Sequence, residues 1–235
     1  VDSMVLMSLC VNSGYTVGVA HCNFCLRGRE SDEDEILVQE HARKYGIECH
    51  NRRFDTVGEM ERTGESMEMA ARRLRYTWFA ELCEEHGYTV IAVAHHIDDS
   101  IETFFINLMR GTGLRGLTGI HQQVGRVVRP LMFATRKEIM DYALHKHIPY
   151  REDSSNKSTK YLRNKIRLGL IPRIREISPR FPFIMHQNIE RLISAQRFIQ
   201  GAIDNIYKEA VTEQSGVYTL HVDCIADPAS RDFVI

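Results

Sequence analysis

A short apolar run, Val90 to Ala94, passes directly into His95, His96, Asp98, Asp99 and Glu102. A helical repeat follows, with Ile101, Phe104, Phe105 and Leu108 at i, i+3, i+4 and i+7. Arg110 and a glycine-rich loop to Gly119 close the stretch. A strand that feeds a charged turn and a helix N-terminus puts polar groups at the carboxyl edge of a sheet, where open α/β folds bind ligands. A purely local role has to be weighed first. Asp99 with Glu102 fits the capping-box spacing, a short oxygen side chain at the N-cap and Glu at N3. Capping accounts for one or two such residues. The ionisable groups here exceed that need, so the stretch is a candidate site whose acids can also cap.

The rest of the chain repeats the strand–helix alternation. A helix is predicted over Ser3 to Asn12 with Gly14 as its stop, then a strand from Thr16 to Ala20 ending at His21. Ser31 with Asp34 has the spacing of a second cap, for a helix ending near Gly46. Ile47 to Phe54 reads as a strand and Ser66 to His86 as a long helix stopped by Gly87. After the central stretch come a strand from Arg126 to Leu131, a helix capped by Thr135 and Glu138 that ends around His147, and a last short strand, Ile148 to Tyr150. Strands alternating with helices imply a parallel sheet covered on both faces, a doubly wound α/β fold. A helix at the very start implies a preceding strand that is missing from this chain.

Beyond Tyr150 the pattern is helical. Residues 151–160 form a polar loop, and Tyr161 to Ile171 reads as a helix with Arg163 and Arg167 on one face. Pro172 is placed to kink or end it. Pro179 to about Val211 has the period of one long amphipathic helix, residues 217–222 suit a strand, and a further helix starts near Asp227. The domain limits expected are 1–175 for the α/β part, lacking its first strand, and 176–235 for a helical extension leading into a truncated further domain.

Net charge is −1, which gives no global case for nucleic-acid binding. Its distribution does: residues 151–197 hold eleven Lys/Arg against four acids, the local basic stripe of a phosphate-backbone binder. No apolar run approaches the roughly 20 residues of a membrane span, and no signal peptide is visible. The six cysteines lie mostly in apolar or helical contexts, as reduced thiols in a cytoplasmic protein do. Cys22 and Cys25 form a lone CxxC behind His21, too little by itself for a metal or redox centre.

Motifs in order along residues 1–175 resemble the tRNA(Ile)-lysidine synthetase family of the N-type ATP pyrophosphatase (PP-loop) superfamily, whose fold is of the adenine nucleotide alpha hydrolase type. Val1-Asp2-Ser3 is similar to the end of its SGGxDS phosphate loop, the leading Ser-Gly-Gly being absent here. His21, Asn23, Leu26-Arg27-Gly28 and Glu30-Ser31 match HxNxxLRGxES. Glu68, Ala71-Arg72 and Arg75-Tyr76 match ExxARxxRY, and His95 to Thr103 matches HHxDDxxET. Arg110-Gly111-Thr112-Gly113, Arg129-Pro130-Leu131 and the run from Asp153 to Arg167 complete the series.

The resemblance implies a ligase. ATP adenylates the ring carbonyl of the wobble cytidine in the CAU anticodon of an isoleucine tRNA. The ε-amine of free L-lysine then displaces AMP to give lysidine, and the codon read changes to AUA. It further implies ATP contacts from Val1, Asp2, Ser3, His21, Asn23, Arg72, His96, Gly111, Thr112 and Gly113. Chemistry falls to His95, Asp99, Glu102, Arg75, Arg163 and Arg167, and Mg²⁺ to Asp2, Asp98 and Asp99. A glycine-rich loop at a helix N-terminus suits phosphate, carboxylates near ATP suit Mg²⁺, and acids suit a lysine ammonium whose proton must be removed before attack. Asp2 and Ser3 are expected to face the triphosphate beside His21. Amides at 99 and 102 are expected to stop the reaction and spare the fold. The basic stripe from Arg151 to Arg197, including Lys157, Lys160 and Arg173, is expected to contact tRNA. A homodimer is left open. The rivals are a tRNA thiolase using Cys22 and Cys25, and a non-catalytic nucleotide- or RNA-binding module.

Overall fold

The computed structural model describes residues 1–151 and 162–221. The elements run α1 (Asp2–Asn12), β1 (Gly18–Asn23), α2 (Arg29–Tyr45), β2 (Glu48–Arg53), α3 (Thr56–Thr63), α4 (Met67–His86), β3 (Ile91–Ala92), α5 (Ile97–Arg110), α6 (Leu114–Leu117), β4 (Gln123–Val124), β5 (Val127–Val128) and α7 (Arg136–His145). Then follow α8 (Leu162–Lys165), a π-helical turn (Ile166–Leu170), α9 (Ile171–Ile177), α10 (Phe181–Ala210), β6 (Val211–Gln214) and β7 (Val217–Leu220). Most of the expected loop over 151–160, the start of a helix at Tyr161 and the helix from Asp227 lie outside the described residues. The described residues form two compact units, one from within Val1–Ser100 and His121–Asn164, the other from within Ile101–Ile120 and residues 165–221.

In the first unit β1 and β2 are parallel, with Gly18 opposite Glu48 and His21 opposite Asn51. β3 pairs with β5 in parallel, and β4 joins β5 antiparallel. Successive β1 side chains serve opposite faces, as the two-residue period of a strand requires. Val19 packs on a core built from Met4 to Met7 of α1, Ala42, Leu131, Ile139, Ala143 and Ile148. Ala20 and Cys22 pack on a second core of Phe54, Trp78 and Leu82. Helices thus cover both faces of the strands, which makes the fold α/β. Met4 to Ser8 of α1 are all buried. That explains why this helix shows apolar residues all round instead of a stripe.

Several expected boundaries move. β1 runs on to the buried Asn23, and Phe54 N–H continues the ladder to the Asn23 carbonyl at 2.8 Å. α2 starts at Arg29, so Ser31 is inside the helix and its Oγ accepts the Arg27 N–H (3.3 Å) instead of capping. α3 is an addition to the expected elements; Asp55 caps it by accepting Gly58 N–H at 3.0 Å. The expected strand over Arg126 to Leu131 shrinks to Val127–Val128; the Arg129 N–H still reaches the Gln122 carbonyl in the β4–β5 register, and Pro130 has no donor to carry the ladder further. Ile148 to Tyr150 is not a strand; Ile148 is instead a core residue. The Thr135–Glu138 capping box is present as expected.

In the second unit, α6 packs on α10, and Phe105 of α5 lies 6.3 Å from Phe181, ring to ring. Pro172 does not end its helix. It sits in the first turn of α9, where no N–H is missed, and the turn before it widens to π. α10 ends in the β6–β7 hairpin, whose Ser215 and Gly216 both have positive φ (52° and 80°), the signature of a tight two-residue turn. No helix among the described residues is long and apolar enough to cross a membrane.

Candidate active site

Three helix N-termini of the first unit meet around His96. α5 begins at Ile97, not after Asp99 as the capping pattern predicts. Asp99 therefore stands at the third helical position and reaches back, its Oδ2 accepting the His96 N–H at 3.1 Å. The first turn of α1 supplies Asp2. The first residue of α7 supplies Arg136, whose guanidinium donates to Asp2 Oδ2 (3.1 Å) and whose backbone N–H donates to Asp98 Oδ2 (2.7 Å). Each N-terminus carries backbone N–H groups with no intrahelical partner and the positive end of a helix dipole; those of Ile97 and Arg136 are taken by the Ala134 carbonyl and by Asp98.

The His96 ring, 1% exposed, is the centre of this arrangement. Its Nε2 lies 3.4 Å from Asp99 Oδ2 and 4.0 Å from Asp2 Oδ2, and its Nδ1 lies 3.8 Å from Asp98 Oδ2. The ring is closed off from solvent among these carboxylates. In this cluster two buried polar atoms have no hydrogen-bond partner, Asp2 Oδ1 and His96 Nδ1. Buried polar atoms are normally satisfied, and an orphaned carboxylate oxygen fits a cation with oxygen ligands.

Among the described residues, Asp2, Asp98 and Asp99 do not gather into one three-ligand cluster. Asp98 faces α7 and fixes its N-terminus. Mg²⁺ takes one or two carboxylates and completes its shell with phosphate and water, and Asp2, with its unpartnered Oδ1, is a carboxylate of that kind.

His95 is half-buried, and its Nδ1 accepts a hydrogen bond from Arg129 Nε at 3.3 Å. Arg129 is itself buried and donates to the His121 carbonyl at 2.7 Å. Burial, above all, holds the His95 pKa below its ordinary value; Arg129, Arg163 and Arg72 push it the same way, against Asp99. The ring is thus neutral near pH 7, and the Arg129 bond assigns its proton to Nε2. Arg72 also lies over the Tyr76 ring, 4.8 Å from its centroid.

The other expected contacts spread along the end of β1. His21 is half-buried, and burial lowers its pKa against the pull of Glu35 and Asp34. Asn23 is engaged by α2: its amide donates to Glu35 (2.8 Å) and Asp32 (3.2 Å). Arg75 lies over the Phe24 ring at 5.2 Å and beside Cys22. Ser3 is exposed at the start of α1.

Glu102 and Arg167 belong to the second unit and hold each other. Arg167 Nε and Nη2 donate to the two Glu102 oxygens at 2.6 and 2.9 Å, and Glu102 is 1% exposed. Glu102 is therefore no helix cap, and an amide there is not neutral for the fold: it leaves a largely buried guanidinium short of its charge partner. Gly111, Thr112 and Gly113 form an exposed loop of the same unit, with Gly111 at φ 75°. Arg136 is a site residue that the sequence motifs do not single out. Its signal is an arginine at the first position of a capped helix, against the dipole, which requires an acid from elsewhere.

Comparison with known proteins follows the same lines. The PP-loop domain family model matches residues 1–174. A protein of Bacteroides thetaiotaomicron named tRNA(Ile)-lysidine synthase is 40% identical over 234 residues, 99% of this chain and 54% of its own length. The protein of that name from Chlorobaculum tepidum is 43% identical over 195 residues, 81% of this chain and 58% of its own. That from Bacillus subtilis is 31% identical over 222 residues, 91% and 47%. The chain spans about half the length of the curated relatives it matches. Among solved structures, the U34-tRNA thiolase NcsA from Methanococcus maripaludis with its [4Fe-4S] cluster superposes with a TM-score of 0.67 at 17% identity, over 82% of this chain and 68% of that one. With the family profile covering residues 1–174, the start of α1 and the His96 cluster included, the chain belongs to the PP-loop ATP-binding family.

Proposed function

We infer that this chain is the ATP-binding, adenylating part of a tRNA(Ile)-lysidine synthase, with residues 1–175 as its catalytic domain. The observation that carries the reading is the 31–43% identity to proteins of that name across most of the chain. The convergence of three helix N-termini on a carboxylate pair supports it, because such termini favour phosphate and the carboxylates favour the cation that accompanies it. The thiolase likeness concerns the fold alone. Against sulfur chemistry, burial pushes the Cys22 thiol up to about 11 despite Arg75, whereas a sulfur nucleophile needs a lowered pKa.

In this reading Val1, Asp2 and Ser3 meet the triphosphate at the start of α1, Arg72 and His21 serve the nucleotide, and Arg75 and Arg163 serve the chemistry. The ring carbonyl oxygen of the cytidine bonds to the α-phosphorus as pyrophosphate leaves. Mg²⁺ held by Asp2 would supply charge neutralisation for that pyrophosphate. The neutral His95 donates from Nε2–H to an oxygen of the substrate. Asp99 holds the ε-ammonium of lysine and takes up its proton as the new C–N bond forms and AMP departs. His96 and Arg136 position the two carboxylates. Asn23 positions β1 against α2. Partners are L-lysine and an isoleucine tRNA with a CAU anticodon, in the cytoplasm.

The test is AMP formation by the full-length protein with ATP, lysine and unmodified tRNA. AMP release that requires both lysine and the CAU anticodon is expected. Lysine-independent release, or none with a folded protein, would remove the assignment.

A further inference from the structure

At the amino end of the β1–β2 pair, opposite to the edge that carries His21 and Asn23, two histidines and a glutamate face one another. Glu48 and His50 are two residues apart on β2 and share a face. His86 is the last residue of α4. His50 Nε2 and His86 Nδ1 lie 3.7 and 3.9 Å from the same oxygen, Glu48 Oε2. The two imidazole rings are 4.3 Å apart. All three ligand atoms fall within 4.8 Å of one another, the one such group of His, Cys, Asp and Glu among the described residues.

The neighbourhood is built around them. Gly87 takes a left-handed φ of 71° and turns the chain so that Tyr88 folds back on the strands. The Tyr88 hydroxyl bridges His50 Nε2 (3.0 Å) and Glu48 Oε2 (3.5 Å), and its ring stacks on His86. It lies so close over β1 that a Cβ on Gly18, the register partner of Glu48, would stand 2.0 Å from the phenol oxygen.

We propose that Glu48, His50 and His86 bind a divalent transition-metal ion that ties the start of β2 to the end of α4. Two imidazoles and one carboxylate suit zinc and its neighbours, whereas Mg²⁺ and Ca²⁺ want oxygen alone. Bonds of about 2.0–2.2 Å in a tetrahedron put ligand atoms about 3.3–3.6 Å apart. The observed 3.7 and 3.9 Å close to that with small side-chain rotations. The ion displaces the Tyr88 hydroxyl from His50, and water completes its shell. Cys22 and Cys25 do not enter this site, and its metal is separate from the Mg²⁺ of the ATP reaction.

Zn²⁺ titration of the full chain, read by competition with a chromophoric chelator, tests this. One Zn²⁺ per chain is expected, with affinity falling at least about ten-fold in His50→Gln and in His86→Gln, since even loss of an outer partner of a metal site costs that much. The Cys22→Ser/Cys25→Ser variant should bind as the parent does. Added Zn²⁺ should raise the unfolding temperature of the parent and not of the histidine variants. Co²⁺ loading gives a readout without mutation: d–d bands with no thiolate charge-transfer band. Absence of uptake, uptake unchanged by both histidine variants, or a thiolate band from Co²⁺ would each overturn the proposal.

Discussion

Asp99 does two things that one substitution separates. Its Oδ2 accepts the His96 N–H and stands 3.4 Å from His96 Nε2. Asn keeps an acceptor for the N–H and loses the charge. Asp99→Asn is therefore expected to cost at most about 1 kcal/mol of stability, yet to lower AMP formation on the order of 10²–10³-fold, the usual effect of removing one charge-stabilising group. Turnover measured beside thermal unfolding decides, and near-normal turnover would take Asp99 out of the chemistry. His41 is a residue-scale test of a different kind. It is buried, neither ring nitrogen has a hydrogen-bond partner, and burial holds its pKa below the ordinary value. Between that lowered value and about 6.5 the unfolded chain binds the extra proton and the folded chain does not. Stability thus rises with pH through this window and levels off above about 6.5. His21 and His95 act in the same direction. His41→Phe keeps the edge-on contact with Tyr45 and should flatten part of the acid-side slope in unfolding scans from pH 5 to 7; an unaltered slope would show that His41 does not contribute.

At the scale of elements, the Glu102–Arg167 pair joins α5 to the π-helical turn within the second unit. The wide turn sets Arg167 at the place where both guanidinium bonds reach the carboxylate. Removing one partner of a buried pair costs about 3–5 kcal/mol, while replacing both with apolar groups of similar size is often neutral. Glu102→Met and Arg167→Leu should each lower the midpoint of denaturant unfolding strongly, and the double variant that combines them should recover much of that stability. Effects that simply add would mean that the two side chains are energetically independent. A fall in activity of Glu102→Gln then has to be read at a temperature where the variant is folded.

For the whole molecule the question is where a chain of net charge −1 would offer a surface to the tRNA of the proposed reaction. The proposed basic stripe starts at Arg151, but that residue is occupied by ion pairs to Glu33 and Asp34. Arg167 is likewise engaged by Glu102, whereas Arg173 is exposed. Lys157 and Lys160 lie outside the described residues. Charge reversal at Lys157, Lys160 and Arg173 in the full-length protein should weaken tRNA binding and leave ATP binding unchanged. The slope of log affinity against log salt should become shallower by about 0.7–0.9 for each phosphate that the variant no longer neutralises. An unchanged slope and affinity would reduce the stripe to a solvated face.

What the sequence alone determined is local. The α4 limits at Ser66 and Gly87, the Thr135–Glu138 box and the α/β alternation depend on bonds spanning a few residues and on periodic burial, so they are legible in order along the chain. The cluster from His95 to Glu102 is likewise visible as an excess of charge at a strand end. Which acid meets which partner is not. Asp98 finds a backbone N–H 38 residues away, Glu102 a guanidinium 65 away, and Asp2 a guanidinium 134 away. Glu48 and His50 meet His86 only because α4 returns its C-terminus to the start of β2. Such pairings are set when the helices pack against the two faces of the strands. Burial then makes an unpaired charge costly, and only tertiary structure can supply its partner.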